Sequence, residues 1–227
     1  MKKIIIAIDG PAASGKSTTA KLVADQLGYL HIDTGAMYRA MALKVLRSNI
    51  SPTDSASIAR LAGLTTVRLV HKPGQNKNLR VELDGHEVSE EIRLPEVTNI
   101  VSPVSTIQAV RALMVKEQRA MGKEGGIVLE GRDIGTVVFP NAELKIFMKA
   151  DPRERALRRK RELDTKGVTV LLDQLEQEII ERDTIDSQRE ISPLRMADDA
   201  VVVDTTNLTI EQQVTFIVNK AKEIMRQ

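Results

Sequence analysis

The sequence predicts an α/β fold, a doubly wound five-stranded parallel sheet carrying an antiparallel β insert. Five short runs, at residues 4–8, 29–32, 127–129, 144–148 and 200–203, are apolar or β-branched with little polar alternation, the pattern of strands buried on both faces. Helical patterns lie between and after them, at residues 16–27, 36–46, 95–121, 152–163, 171–182 and 210–225. Such alternation implies right-handed βαβ units. One stretch departs from it: residues 65–93 hold alternating strands separated by "KPGQNKN" and "DG", both turn signals, and read as the insert.

The bulk composition narrows the classes of function. A chain of 227 residues can bury a substantial core yet is short for two full-sized domains, so one domain with smaller appendages is expected. Charged residues make up 28% and nearly cancel to a net +2, which gives no broad field for a polyanion; nucleic acid is not an expected partner. Cysteine is absent, which removes thiolate metal sites and cysteine nucleophiles and fits the cytoplasm. The opening "MKKIIIAI" resembles an export signal, but Asp9 interrupts it before the ~7 to 15 apolar residues such a signal needs. No run approaches the ~18 residues of a membrane span, so no membrane association is expected. Aromatic residues, at 2%, are too few for a base-stacking platform.

The first strand runs directly into "GPAASGKS" at residues 10–17, which fits G-x-x-x-x-G-K-[ST] between a predicted strand and a predicted helix. Gly10, Pro11, Ala12, Ala13, Ser14, Gly15, Lys16, Ser17 and Thr18 form the candidate phosphate-binding set. The glycines let backbone N–H groups turn toward phosphate oxygens, Lys16 adds a full charge, and the helix presents its positive end. Ser17 is the candidate Mg²⁺ ligand. Chance supplies this pattern in on the order of 1 chain in 100 of this length, before the strand and helix are required. The expected ligand is a nucleoside triphosphate and the expected fold of P-loop NTPase type. A phosphate loop alone does not choose between a switch, a motor and a kinase.

The arginines bear on that choice. Arg39 lies in "IDTGAMYRA", Arg111 in "VRALM", Arg132 in "EGRDIGT", and Arg182 and Arg189 in "ERDTIDSQRE"; "DPRERALRRKRE" is denser still. A kinase whose acceptor is itself a phosphate must hold two anions end to end, and planar guanidinium forks suit that. Asp33 or Thr34 in "DTG" is also placed to cap the following helix, a role compatible with substrate binding.

With these stretches the chain resembles the bacterial cytidylate kinases, within the nucleoside monophosphate kinases, over nearly its whole length: "DGPAASGKST", "DTGAMYRA", "EVTNIVSPVS", "GRDIGTVVFP" and "ERDTIDSQR". The resemblance implies ATP-dependent conversion of CMP or dCMP to the diphosphate by a monomer. It implies a core of residues 1–34, 94–150 and 190–227, a monophosphate-binding region of 35–93 that includes the insert 65–93, and a helical lid with its following helix at 151–189. By family position Ser102, Arg111 and Asp133 read the base; Thr34, Tyr38, Arg39, Arg132 and Arg189 surround the acceptor phosphate; Arg182 and Asp186 approach the sugar hydroxyls. Without the resemblance, Arg182 and Asp186, at i and i+4, would read as a surface pair worth only ~0.3 to 0.5 kcal/mol. Thr34 stands where other members carry serine, and Glu130 where some carry aspartate.

Cytosine presents an amino donor beside ring acceptors, so a carboxylate and an arginine suit it, whereas uracil would set a carbonyl against the carboxylate. Arg155, Arg158 and Arg159 fall on adjoining helix positions, with Glu154 and Glu162 spaced to pair with Arg158. That is the pattern of a solvated, salt-bridged helix, but Arg155 and Arg159 are also candidates to close over ATP, joining Lys16, Arg132 and Arg189 as the catalytic set. A catalytic base is not required, because a phosphate monoester is largely ionised near neutral pH. His31 reads as a core residue of its strand, His71 and His86 as surface residues of the insert, and the methionines as core filler. Two rivals remain: the same fold acting on UMP, AMP or a small metabolite, and a P-loop nucleotide switch.

Overall fold

The computed structural model of the chain describes residues 2–70, 79–165 and 167–226. Along them run β1 (Ile5–Asp9), α1 (Lys16–Leu27), β2 (Leu30–Asp33), α2 (Thr34–Arg47), α3 (Ser55–Gly63), β3 (Val67–Val70), β4 (Arg80–Leu83) and β5 (His86–Glu87). There follow α4 (Pro95–Thr106), α5 (Gln108–Met121), β6 (Ile127–Gly131), β7 (Leu144–Lys149), α6 (Pro152–Asp164), α7 (Leu172–Gln188), β8 (Val201–Asp204) and α8 (Ile210–Met225). The five strands predicted as buried form one sheet in the order β2-β6-β1-β7-β8. β1 runs parallel to β6, with Ile5 opposite Ile127, and to β7, with Ile6 opposite Leu144; β7 continues parallel to β8. Burial on both faces holds for β1, where Ile6, Ala7 and Ile8 are buried, and for β6, whereas the edge strands β2 and β8 are only partly buried and Val202 of β8 is exposed.

The chain divides into two compact units, Met1–Tyr29 with Gly126–Gln227, and Leu30–Gly125. In the first, α1 and α8 pack Ala20, Val23, Ile217 and Val218 against Ile4, Ile6, Ile8 and Ile146 of the sheet. The points where the chain leaves and rejoins this unit are fastened to one residue: the N–H of Ile4 donates to Tyr29 Oη at 3.1 Å, and its carbonyl accepts from the N–H of Gly126 at 2.9 Å. In the second, Met37, Met41 and Val45 of α2 meet Val97, Val101, Val104, Val110 and Met114 of α4 and α5 and Val67, Val81 and Leu83 of the insert. Residues 94–125, assigned from the sequence to the phosphate-loop core, therefore pack in the same unit as 30–93, because their apolar face belongs to the α2 cluster.

Four features depart from the sequence reading. α3 is an additional helix, begun by Asp54, whose side chain accepts from Ser57 N, and anchored by buried Ile58 and Ala62. The pattern over 95–121 divides at Ile107, an extended residue (φ −74°, ψ 124°) after a helix that already contains Pro103. The pattern ending at 182 continues to Gln188, and Arg189 is its extended C-cap. A single π-type turn, Ile134–Val138, follows β6. The insert is antiparallel as expected, with Val67 opposite Leu83; Asp84 and Gly85, both at positive φ, make its "DG" turn. The "KPGQNKN" turn and His71 lie outside the described residues. His31 is half-buried in β2 and His86 is exposed. Met37, Met41, Met114 and Met148 fill core positions.

Gly10 ends the central strand at φ +150°, and a Cβ there would lie 2.1 Å from the Met148 carbonyl oxygen of β7. Gly10→Ala is expected to destabilise the protein by about 2–4 kcal/mol in urea unfolding, because backbone atoms must shift to admit the methyl group. A loss below about 0.5 kcal/mol would contradict that close approach.

Candidate active site

The loop between β1 and α1 turns through Gly10, Ala13 at φ +55° and Gly15 at φ +93°. Lys16, buried at the start of α1, donates from Nζ to the Pro11 carbonyl at 2.5 Å and to Ser14 Oγ at 3.3 Å. Burial holds its ammonium well below the usual lysine range, the charges of Arg132 and Arg182 push the same way, and Glu130 and Asp9 oppose them. Ser17 and Thr18, the next two residues of the helix, are exposed. Ser17 Oγ donates to Glu130 Oε2 at 2.5 Å, so β6, the parallel neighbour of β1, delivers a buried carboxylate to the hydroxyl predicted as a metal ligand.

Asp9 at the end of β1 accepts from the N–H groups of Ile134 at 2.8 Å and Gly135 at 2.7 Å, which fixes the π-type turn over the sheet end. Burial raises its carboxyl from 3.8 to about 6; the two backbone donors and Lys16 pull it down, and Asp133 adds to the rise. The turn carries Arg132 and Asp133 out of β6 toward the end of α7. There Arg132 Nε donates to Asp186 Oδ2 at 2.9 Å, while Arg189 lies 3.6 Å from Asp186 and 3.9 Å from Asp133. Burial alone would raise Asp186, but Arg132, Arg182 and Arg189 outweigh it and hold the carboxyl below the usual range. Lys16, Arg132, Asp133, Arg182, Asp186 and Arg189, scattered through the sequence, thus meet in one unit. The plain surface pair of Arg182 with Asp186 is not what forms: Asp186 is buried and shared among arginines.

α6 starts at Pro152, with Asp151 accepting from the N–H groups of Arg153 and Glu154. Arg155, expected over ATP, is buried; its donors reach the Ala150 and Ala12 carbonyls, both at 3.1 Å, and Asp183 at 2.6 Å. Arg158, expected to pair with Glu154 and Glu162, keeps Glu154 at 3.2 Å and reaches the Thr205 carbonyl at 2.5 Å and the Ser14 carbonyl at 3.5 Å. Glu162 pairs instead with exposed Arg159 at 2.9 Å. Beside this helix start lies an open cavity of about 580 Å³ lined by Lys149, Ala150, Asp151, Asp204, Thr206, Asn207 and Leu208, of which only Asp151 lies in a stretch singled out from the sequence. It is wide enough for a nucleobase.

The second unit holds the other candidates. Asp33 caps α2, accepting from Ala36 N at 3.0 Å, and its second oxygen binds Arg39 Nη2 at 2.8 Å. Thr34 is the first, buried residue of the helix. Burial would raise the Asp33 carboxyl, but Arg39, the Ala36 N–H and His31 hold it below its ordinary value. Gly35 leaves this pair undisturbed, since a Cβ there would lie 3.1 Å from Asp33 and 3.2 Å from Arg39. Arg111, buried on α5, stands 5.4 Å from the Tyr38 ring centroid and donates to the Ser105 carbonyl at 3.2 Å. Ser105 in turn donates to the Ser102 carbonyl at 2.8 Å. Arg111, Tyr38 and Ser102 are thus joined within one unit, and Asp133, the carboxylate grouped with them from the sequence, belongs to the other.

Among the described residues no group of three or more His, Cys, Asp or Glu side chains is placed to hold a metal, and no helix is long and apolar enough to cross a membrane. The cytidylate kinase family model matches residues 6–223. The cytidylate kinase of Caldicellulosiruptor bescii is 53% identical over 212 residues, covering 93% of this chain and 92% of its own. That of Chloroherpeton thalassium is 52% identical over 233 residues, covering 100% and 96%. Among solved structures, an uncharacterized protein from Eubacterium ventriosum aligns with a TM-score of 0.50 at 11% identity, covering 97% of this chain and 99% of that one; this is a likeness of fold alone.

The raised carboxyl of Asp9 gives a pH signature. Across about pH 4 to 6 the folded protein holds a proton that the unfolded chain releases, so this group's contribution to stability falls as pH rises, by roughly 3 kcal/mol in all. Asp33 and Asp186, held low, act in the opposite direction and cancel when two variants are compared. In urea titrations, wild type is expected to lose stability relative to Asp9→Asn between pH 4 and 7; a difference independent of pH would contradict the assignment.

Proposed function

The chain belongs to the cytidylate kinase family, and on that premise we propose that it transfers the terminal phosphoryl group of ATP to CMP and dCMP, giving CDP and dCDP. One observation carries the reading at the level of residues: Lys16 is buried at the end of the phosphate loop, in the same unit as Arg132 and Arg189, which gather at Asp186. Cations gathered in a low-dielectric site are stabilised by anions, and two nucleotides meeting phosphate to phosphate supply them. Lys16 and the loop N–H groups take the donor phosphates, with the donor base in the cavity beside α6. Arg132 and Arg189 stabilise charge on the transferring group and the acceptor phosphate, and Arg39 binds the acceptor phosphate beside Thr34 and Tyr38.

Arg182 and Asp186 take the sugar hydroxyls. Asp186, held ionised by its arginines, is an acceptor suited to hydroxyl hydrogens. Ser102, Arg111 and Asp133 read the base, with the carboxylate facing the cytosine amino group; uracil would set a carbonyl against it, leaving a desolvated charge without a donor. The acceptor phosphate is already ionised near neutral pH, so its oxygen attacks without a base and catalysis rests on positioning and electrostatics. Ser17 and the adjacent Glu130 carboxylate are hard oxygen donors that fit Mg²⁺, which when bound neutralises phosphate charge. In the lid segment 151–189, Arg159 is available to the donor phosphates, because an exposed pair such as that with Glu162 is weak. The enzyme is taken as a cytoplasmic monomer whose partners are these nucleotides.

A coupled assay of diphosphate formation from CMP, dCMP, UMP, AMP and GMP with ATP tests the reading. CMP and dCMP are expected as acceptors, with kcat/KM for UMP at least about tenfold lower. A preference for UMP would refute the base-reading argument, and nucleotide hydrolysis without any acceptor would refute the kinase. Arg39→Met should raise KM for CMP about tenfold or more while leaving KM for ATP near wild type.

A further inference from the structure

We infer that Thr205 is a positioning residue for the phosphate donor: its buried hydroxyl sets the peptide of the phosphate loop that aims the Gly15 N–H, and ties that peptide to α6. The inference rests on the reading of the loop as the donor site. Thr205 follows β8 and has no exposed surface. Its Oγ1 lies 2.9 Å from the Ser14 carbonyl and 3.2 Å from the Lys149 carbonyl. A hydroxyl has one proton to give. The Lys149 carbonyl already accepts from the Thr205 N–H at 2.8 Å, so the shorter contact to Ser14 takes it. The same oxygen accepts from Arg158 Nη1 at 3.1 Å, and Arg158 Nη2 holds the Thr205 carbonyl at 2.5 Å.

The Ser14 carbonyl needs such a restraint. It is flanked by Ala13 at φ +55° and Gly15 at φ +93°, both left-handed, in a loop that lacks a regular ladder to fix its peptide planes. In a planar trans peptide the C=O and the following N–H point in opposite directions. A carbonyl of Ser14 held toward Thr205 therefore turns the Gly15 N–H to the other side, the side from which a loop of this type binds phosphate. Arg155 does the same two peptides earlier: its bond to the Ala12 carbonyl at 3.1 Å turns the Ala13 N–H. The segment after Thr205 supplies Thr206 and Leu208 to the cavity wall, so one residue joins the phosphate loop, α6 and that wall.

Thr205→Val removes the hydroxyl at nearly constant volume, and Thr205→Ser keeps it. Binding of MgATP and of tripolyphosphate with Mg²⁺, which has phosphates and no base, is measured by calorimetry, alongside KM for CMP. Thr205→Val is expected to weaken both ligands about tenfold with KM for CMP unchanged, and Thr205→Ser to stay within about twofold of wild type. Loss of ATP binding alone would mean that Thr205 acts only through the cavity wall; an equal loss in Thr205→Ser would make its role packing; no loss in Thr205→Val would remove the role. Each of these overturns the inference. If Thr205→Val does not fold, Arg158→Met is measured instead, and unchanged tripolyphosphate binding overturns it as well. A wild type that binds both ligands but phosphorylates no nucleotide would refute the proposed function and leave this inference standing.

Discussion

A lysine ammonium buried beside guanidinium groups is the constraint on which this structure turns. Removing Lys16 from water is costly, and Arg132 and Arg182 add repulsion that Glu130 and Asp9 oppose. The fold maintains the arrangement because the cations are anchored elsewhere. Lys16 is held by a carbonyl and a hydroxyl of its own loop, and Arg132 by the carboxylate of Asp186. These side chains are thereby fixed in place before any phosphate arrives, which is the condition for strong electrostatic stabilisation without reorganisation.

The second recurring device is the orientation of backbone groups by buried side chains. Arg155 and Arg158 on α6 draw carbonyls of the phosphate loop toward themselves, while Asp9 does the converse for the turn after β6, gathering the N–H groups of Ile134 and Gly135. One face of the site is set by donors pulling on carbonyls and another by an acceptor pulling on amides. Both sets of atoms lie at the ends of the parallel strands, where the chain has left its ladder and peptide direction would otherwise be loosely determined.

Much of this was legible in the sequence, for reasons of range. The phosphate loop, the Asp33 cap and the five strands depend on residues a few positions apart, and local pattern reports them. The division at Ile107 was hidden because the apolar periodicity of α4 and α5 continues across it, although Pro103 hinted at it. α3 had a readable signal in Asp54 ahead of "SIARLAG", but at nine residues it is short for periodicity to register. The arginines were the hardest case. Composition marks Arg155, Arg158 and Arg159 alike as cations on one helix, and only the fold shows that two face loop carbonyls and the third faces Glu162. Burial of Asp186 was equally invisible, since of the cations around it only Arg182 is local, while Arg132 lies 54 residues upstream and Arg189 beyond the helix.

Ile4 gives the architecture a property that its chemistry does not require. By binding Tyr29 through its N–H and Gly126 through its carbonyl, it brings together the two ends of a 96-residue excursion, Leu30–Gly125, which has an apolar core of its own. A segment whose ends already meet can be lengthened, shortened or exchanged while the host keeps its own backbone path, much as tolerated domain insertions occur. In the proposed reading, the acceptor contacts carried on this excursion, Arg39, Ser102 and Arg111 among them, are free to diversify in evolution while the phosphate loop is inherited intact.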